Sequence, residues 1–184
     1  MIDVLNRGLG GQEAPPEVAR FECDVFDEAP SLVIWQVGTN AVFRNEVFNF
    51  DEVAVSIDNG LDWLAGKSTD VILMDLQYTP AMLGAKLQLS QRMVTRIAEA
   101  AKRAGVNVFR RFELMEHWAL VDGISIEELV RAEDPFALHM SDWATGCMTS
   151  ALFEAIKLAI ETPPSCAELP GSDERRASCS LTGF

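Results

Sequence analysis

The stretch SLVIWQVGTN, which spans residues 31–40, is an apolar run that ends abruptly in Gly-Thr-Asn. Such a run predicts a buried strand with the polar amide of Asn40 at its carboxyl end. In open α/β sheets, ligands bind outside the carboxyl ends of the strands, so this amide is placed to donate a hydrogen bond to a substrate oxygen. Taken alone, however, the stretch favours a plain turn formed by Gly38 and Asn40 after a core strand.

The rest of the chain alternates short apolar runs with amphipathic segments. Further strands are predicted at residues 2–5, 71–76 and 106–109. Helices are predicted at residues 15–26, 51–65, 83–104 and 142–160, with shorter helical turns at residues 112–120 and 126–131. This order is typical of an α/β fold in which helices cover both faces of a parallel sheet.

Length and composition indicate one folded domain. With 184 residues, the chain can bury a substantial core, and we place the domain at residues 1–161. Residues 162–184 contain few large apolar residues and show no periodicity, so we expect them to form a disordered tail.

Charge and cysteine usage exclude several classes of partner. The chain has 28 acidic and 15 basic residues, and its net charge of −13 argues against binding to nucleic acid or to an anionic membrane surface. It has neither a run of eighteen apolar residues nor a signal peptide, which leaves the cytoplasm as the default compartment. The four cysteines lack metal-ligand spacing, so we expect no metal and no cofactor.

Three polar positions are expected at one edge of the sheet. The glycine loop NRGLGG at residues 6–11 offers backbone N–H groups, and Asn40 offers a side-chain amide. His139 lies in a loop just before the last predicted helix. Backbone and amide donors together suit an oxyanion hole, and a loop histidine suits a general base. By contrast, His117 lies on a predicted helix and is expected to be a packed or surface residue.

These residues resemble the motifs of the SGNH, or GDSL-type, hydrolases over most of the range from Val4 to Ile160. In that family one block supplies a glycine N–H, which corresponds to Gly11 here, and another reads Gly-x-Asn, which corresponds to Gly38-Thr39-Asn40. The last block supplies the base, which corresponds to His139. The resemblance implies a flavodoxin-like α/β/α sandwich that hydrolyses small-molecule esters, with Gly11 and Asn40 as oxyanion donors.

The chain departs from the family pattern at the catalytic acid. In the family this residue stands three positions before the histidine, where this chain has Phe136. Asp134, five positions before, is the substitute if the loop bulges at Pro135, although an acidic residue followed by proline also forms common turns. Asp142 is the other nearby carboxylate, and it fits better as the cap of the last helix.

A larger departure concerns the nucleophile. The family's serine lies in a Gly-Asp-Ser block that ends the first strand, and this chain contains no such block. Neither Ser31 nor Ser141 is suitably placed to replace it. We therefore expect either an ester hydrolase whose first strand is missing and which is inactive as given, or a non-catalytic ligand-binding domain. The resemblance gives no prediction of the oligomeric state, and a missing N-terminus would leave the periplasm and secretion open as compartments.

The end of the strand at residues 71–76 supplies a further group of candidates. Asp75, Gln77 and Tyr78 follow this apolar run at the carboxyl edge of the predicted sheet. They are therefore candidates for lining a substrate pocket, although turn formation explains them equally well.

Overall fold

The structure, a computed structural model, describes residues 2–161. Within this range three parallel strands form one sheet in chain order: β1 (Leu32–Gln36), β2 (Asp70–Met74) and β3 (Asn107–Phe109). Leu32 pairs with Asp70 in the register of β1 and β2, and Ile72 pairs with Asn107 in that of β2 and β3. The prediction of a parallel sheet with flanking helices is confirmed, and β1 and β2 lie where the two longest apolar runs placed them. The prediction that β1 is a buried strand is wrong, because β1 lies at an edge of the sheet, where Ile34 is 45% exposed and Trp35 alone among the β1 residues is buried.

Helices connect these strands. They are α1 (Ala14–Val18), a π-helical turn (Glu22–Phe26), α2 (Thr39–Phe43), α3 (Phe50–Ala65), two 3₁₀ turns (Pro80–Met82 and Gly84–Lys86), α4 (Leu87–Ala104), α5 (Arg111–Leu120) and α6 (Asp142–Glu161). Local chemistry sets several of their ends. Asn49 Oδ1 accepts the N–H groups of Asp51 and Glu52 at the start of α3, and Gly105 ends α4 with φ 68°.

The core lies mainly between the sheet and the pair α3 and α4. Ile57 and Leu61 of α3, Met93 and Ile97 of α4, and Leu73 of β2 are all almost fully buried. Helix α6 lies along the β2–β3 side of the sheet, where Leu152 and Ile156 border an apolar cavity of about 210 Å³ together with Ile72. Among residues 2–161, no helix is long and apolar enough to span a membrane.

Three secondary-structure predictions are wrong. Residues 2–5 form no strand and are irregular; Ile2 is 90% exposed, because no neighbouring strand supplies the hydrogen bonds that would hold this segment. The predicted helix from Pro15 to Phe26 breaks after Val18 into a separate π-helical turn. Residues 126–131 form turns, and Val130 pairs with Met140 in an isolated bridge. The predicted tail, residues 162–184, lies outside the described residues.

Candidate active site

The chain turns sharply at Gly38, where β1 passes into α2. Gly38 has φ 87°, and a Cβ atom at this position would lie 2.7 Å from Met93 Cγ and 2.8 Å from Ile97 Cδ1. Both the backbone conformation and the packing therefore require glycine. Helix α2 begins at the next residue, so Asn40 lies in the first turn of a helix rather than in a loop after the strand.

Asn40 is held against the glycine loop by its own side chain. Its Nδ2 atom donates a hydrogen bond of 2.7 Å to the carbonyl oxygen of Gln12, the residue after Gly11. A primary amide carries two hydrogens, so this bond orients the group and leaves the second hydrogen for another acceptor. Gly11, at φ 79°, allows the loop to turn beside it. The structure therefore brings together the two residues predicted as oxyanion donors.

The glycine loop has a second anchor in α1 and the turn that follows it. Arg20 donates from Nη2 to the side-chain oxygen of Gln12 at 2.9 Å, and both of its terminal nitrogens approach the carbonyl of Arg7 at 3.4 Å. Arg20 also pairs with Asp24. These contacts fix both ends of the loop that contains Gly11.

Glu13 is a member of this site that the sequence analysis missed. Its side chain is only 2% exposed, and it accepts hydrogen bonds from the N–H groups of Ala14, Gly38 and Ala41 at 3.0, 2.8 and 3.0 Å. Burial raises the pKa of Glu13, and these N–H donors oppose the rise by stabilising the carboxylate. The available signal was an acidic residue two positions after the glycine loop, which by itself indicates no particular role.

His139 and Asp134 meet within one loop. His139 Nδ1 lies 2.8 Å from Asp134 Oδ2, and this carboxylate also accepts the backbone N–H groups of Phe136, Leu138 and His139 at 3.0, 2.9 and 2.7 Å. These donors, above all the His139 N–H, hold the pKa of Asp134 well below its usual range. The imidazole itself is largely exposed, with 63% of its side-chain surface open to solvent. Asp134 therefore contacts the imidazole directly, although five positions separate the two residues in the sequence.

The loop that carries this pair is docked onto the sheet edge and onto α2. Gln77 Nε2 donates to the carbonyl of Leu138 at 3.3 Å, and the ring of Phe136 packs edge-to-face on Phe43 of α2 at 5.7 Å between centroids. No hydrogen bond joins His139 to Asn40 within residues 2–161. The two predicted groups therefore lie on neighbouring elements that are joined through Gln77 and the two phenylalanine rings.

Asp75, Gln77 and Tyr78 lie at the carboxyl end of β2, but their side chains face inward. Their residues are 1%, 6% and 8% exposed, respectively. Gln77 Oε1 accepts from the Thr39 hydroxyl at 3.0 Å, and Tyr78 packs edge-to-face on Phe112 at 5.2 Å. Their proposed contact with substrate remains a prediction, and in this structure all three serve the packing beneath the edge.

Arg111 completes a buried polar cluster under the same edge. Its Nε and Nη2 atoms donate to the carbonyl of Asp75 at 3.0 and 2.6 Å, and its Nη1 atom donates to Gln36 at 3.0 Å. Burial lowers the pKa of Arg111 to about 10, so the guanidinium stays charged at neutral pH. Its position directly after Arg110, just past the predicted strand at residues 106–109, gave no signal of burial.

The Asp75 carboxyl group within this cluster is only half satisfied. Its Oδ1 atom accepts the N–H of Phe112 at 2.9 Å, whereas Oδ2 is buried and has no hydrogen-bond partner among residues 2–161. Burial raises the pKa of Asp75 to about 6, against the opposing effects of the Phe112 N–H and of the Arg111 charge. This carboxyl group therefore titrates near neutral pH.

Neither candidate serine is placed beside His139. The Ser141 hydroxyl donates to the carbonyl of Glu128 at 2.7 Å and accepts the Ala144 N–H at 3.2 Å, so Ser141 caps α6. The prediction of Asp142 as this cap is wrong, because its side chain points into solvent and only approaches Arg131 at 4.0 Å. Within residues 2–161, no serine hydroxyl bonds to the imidazole of His139, and no cluster of three metal-ligating side chains occurs.

The fold described above has counterparts among solved structures. An acetylxylan esterase from Geobacillus stearothermophilus superposes with a TM-score of 0.69 and 18% identity over 82% of this chain and 70% of its own. A putative lipolytic protein of the G-D-S-L family from Desulfitobacterium hafniense DCB-2 superposes with a TM-score of 0.66 and 21% identity. The match covers 83% of this chain and 81% of that protein. No curated protein matches the chain significantly in sequence.

These likenesses show that the chain has the flavodoxin-like α/β fold of these structures. The model of the Non-GDSL lipase-like family matches residues 1–162, which is most of the chain. The chain therefore belongs to the Non-GDSL lipase-like family. Family and fold together make it a lipase- or esterase-like hydrolase.

Proposed function

We propose that this site hydrolyses small acyl esters, with His139 as general base, Asp134 as its orienting carboxylate, and Gly11 and Asn40 as oxyanion donors. The observation that carries the proposal is the 2.8 Å contact between His139 Nδ1 and Asp134 Oδ2. A neutral imidazole that donates from Nδ1 to a carboxylate has its Nε2 free to accept a proton. The hydrogen-bonded connection of Asn40 to the glycine loop provides support from the other side of the site.

The reaction begins when a hydroxyl oxygen attacks the ester carbonyl carbon. His139 Nε2 takes the hydroxyl proton while Asp134 stabilises the imidazolium that forms. The carbonyl oxygen becomes an oxyanion, which accepts the Gly11 N–H and the second Nδ2 hydrogen of Asn40. When the intermediate collapses, the bond to the leaving alcohol breaks and His139 returns its proton to that oxygen.

The attacking hydroxyl in this reaction can belong either to a serine or to water. Within residues 2–161, no serine bonds to His139, so we expect water to be the nucleophile in the chain as given and no acyl-enzyme to form. A positioned general base accelerates such an attack by water about 10²-fold or more, and the oxyanion donors stabilise the charge that forms. The chain should therefore be inactive as a serine hydrolase but retain slow hydrolysis.

The test compares two histidine variants of the purified chain. We expect slow hydrolysis of p-nitrophenyl acetate, lowered about a hundredfold in His139→Ala. It should be unchanged in His117→Ala, because His117 is the other exposed histidine and lies 3.6 Å from a carboxylate of its own, that of Asp122. A fluorophosphonate probe should label no serine, and peptide mapping would identify any serine that is labelled. Equal rates in the wild type and His139→Ala would reject the proposal.

A second candidate is a binding domain without catalysis. Phe136 favours it, because this residue stands at the family's position for the acid and its ring packs on Phe43 at 5.7 Å. In that case His139→Ala and the wild type would hydrolyse ester equally slowly, so the same assay separates the two functions.

A further inference from the structure

Glu13 contributes the most deeply buried carboxylate next to the proposed oxyanion donors. Its side chain is 2% exposed, and within the described part of the chain no cation pairs with it. Backbone N–H groups alone compensate its charge, and two of them belong to residues 25 and 28 positions away. A carboxylate needed only as the cap of α1 would require just the neighbouring Ala14 N–H, which it also accepts.

The two oxygens of this carboxylate reach both sides of Asn40. Oε1 accepts the Gly38 N–H at 2.8 Å, and Oε2 accepts the Ala41 N–H at 3.0 Å. Gln12, directly before Glu13, accepts the Asn40 side chain at 2.7 Å, and Gly11 comes one residue earlier. Three hydrogen bonds therefore join residues 11–13 to residues 38–41, and one side chain makes two of them.

We propose that Glu13 is a positioning residue that fixes the Gly11 N–H and the Asn40 amide at one separation, so that both reach the same oxyanion. This inference rests on the proposed ester hydrolysis. The Glu13 carboxylate accepts N–H groups of Gly38 and Ala41 at the start of α2, so it acts through the position of the oxyanion donors. Removing one acceptor should loosen Asn40 relative to Gly11 and weaken binding of the transition state more than that of the ester.

Glu17 provides a matched control on the same helix. It is also a carboxylate with restricted access to solvent, and burial raises its pKa to about 7, but it accepts Trp35 Nε1 at 2.8 Å instead of the N–H groups around Asn40. Glu13→Gln and Glu17→Gln both replace a carboxylate by an isosteric amide. Only the first places an amide NH₂ group against the N–H of Gly38 or Ala41.

The experiment combines amide hydrogen exchange with kinetics on the 184-residue chain. In Glu13→Gln, we expect the Gly38 and Ala41 amides to exchange at least tenfold faster and the Asn40 side-chain NMR signals to average. For p-nitrophenyl acetate, we expect kcat to fall about tenfold with KM unchanged. Glu17→Gln should leave all of these quantities as in the wild type. Glu13→Asp, which keeps the charge but withdraws the carboxylate, should repeat the effects if Glu13→Gln folds poorly.

Unchanged exchange at Gly38 and Ala41 in both Glu13 variants would overturn the inference, as would equal effects from Glu17→Gln. Failure of the proposed function has a different signature. In that case Asn40→Ala would hydrolyse ester as fast as the wild type, while the exchange effects of Glu13→Gln would still be present.

Discussion

The imidazole Nδ1 of His139 lies 2.8 Å from Oδ2 of Asp134, five positions earlier in the same loop. The chain reaches this geometry by turning back at Ala137, which has φ 48° and whose N–H donates to the carbonyl of Asp134 at 3.1 Å. The turn brings the Asp134 carboxylate within hydrogen-bond distance of the N–H groups of Phe136, Leu138 and His139 as well as the imidazole. A residue three positions before the histidine is therefore not needed to orient it.

This contact predicts the tautomer of His139. In the neutral wild-type side chain we expect the proton on Nδ1, because the Asp134 carboxylate can only accept. In Asp134→Asn, the amide can also present a donor, so we expect the Nε2–H form to become populated and the residual esterase rate to fall. Nitrogen-15 NMR of the two imidazole nitrogens measures the change.

The control for this prediction is Asp122→Asn. His117 Nε2 lies 3.6 Å from Asp122, beyond hydrogen-bond distance, so this substitution should alter neither tautomer nor rate. An Nε2–H form of His139 already dominant in the wild type would contradict the assignment.

The elements that could be predicted from the sequence are those in which a local pattern of apolar residues indicates the buried positions. The run at β2 and the apolar stripes of α3 and α4 have enough buried positions to fix their type. By contrast, Ile2 to Leu5 has strand composition without a partner strand, and local composition does not report whether a partner exists.

The site was predictable only in its motif residues. Gly11, Asn40, Asp134 and His139 were found through their spacing and a family resemblance, and their catalytic roles remain predictions. Glu13 and Arg111 were missed because a buried charge depends on partners 25 or more residues away. Nothing in the residues next to a charged side chain indicates such distant backbone partners.

Gly38→Ala should destabilise the fold strongly. The new Cβ would lie 2.7 Å from Met93 Cγ in a left-handed backbone conformation, and the two effects together should cost about 2 to 5 kcal/mol. Gly84 also has positive φ, 58°, but nothing lies within 4 Å of its Cβ position, so Gly84→Ala should cost only about 1 to 2 kcal/mol. Urea denaturation measures both losses, and equal losses would show that packing at Gly38 is not limiting.

Asp75 should make the protein less stable as pH rises from about 4 to 7. Burial raises its folded pKa to about 6 from an ordinary value of 3.8, so over this interval the folded state holds a proton that the unfolded state has lost. The stabilisation is complete below pH 3.8 and is lost as pH rises through 6. At about 1.4 kcal/mol per pKa unit, the free energy of unfolding should fall by about 3 kcal/mol.

Asp75→Asn should remove the part of this pH dependence that Asp75 contributes and leave the part due to Glu17, whose pKa burial raises to about 7, whereas Asp62→Asn, on the exposed face of α3, should keep the whole dependence. Chemical denaturation of the three proteins between pH 4 and 7 provides the comparison. A wild-type profile parallel to that of Asp75→Asn would show that Asp75 does not titrate in this range.

Asn40→Ala should lower the residual hydrolysis of p-nitrophenyl acetate about a hundredfold with little change in KM. The Asn40 Nδ2 atom donates one hydrogen to the Gln12 carbonyl oxygen, 2.7 Å away. In the proposed mechanism its other hydrogen bonds to the oxyanion, whose charge develops only in the transition state. Asn59→Ala, at an exposed position of α3, should match the wild type. Amide spectra of Gly38 and Ala41 check that α2 is intact in Asn40→Ala. If α2 is intact and Asn40→Ala hydrolyses the ester as fast as Asn59→Ala, Asn40 is excluded as an oxyanion donor, because loss of such a donor must slow the reaction.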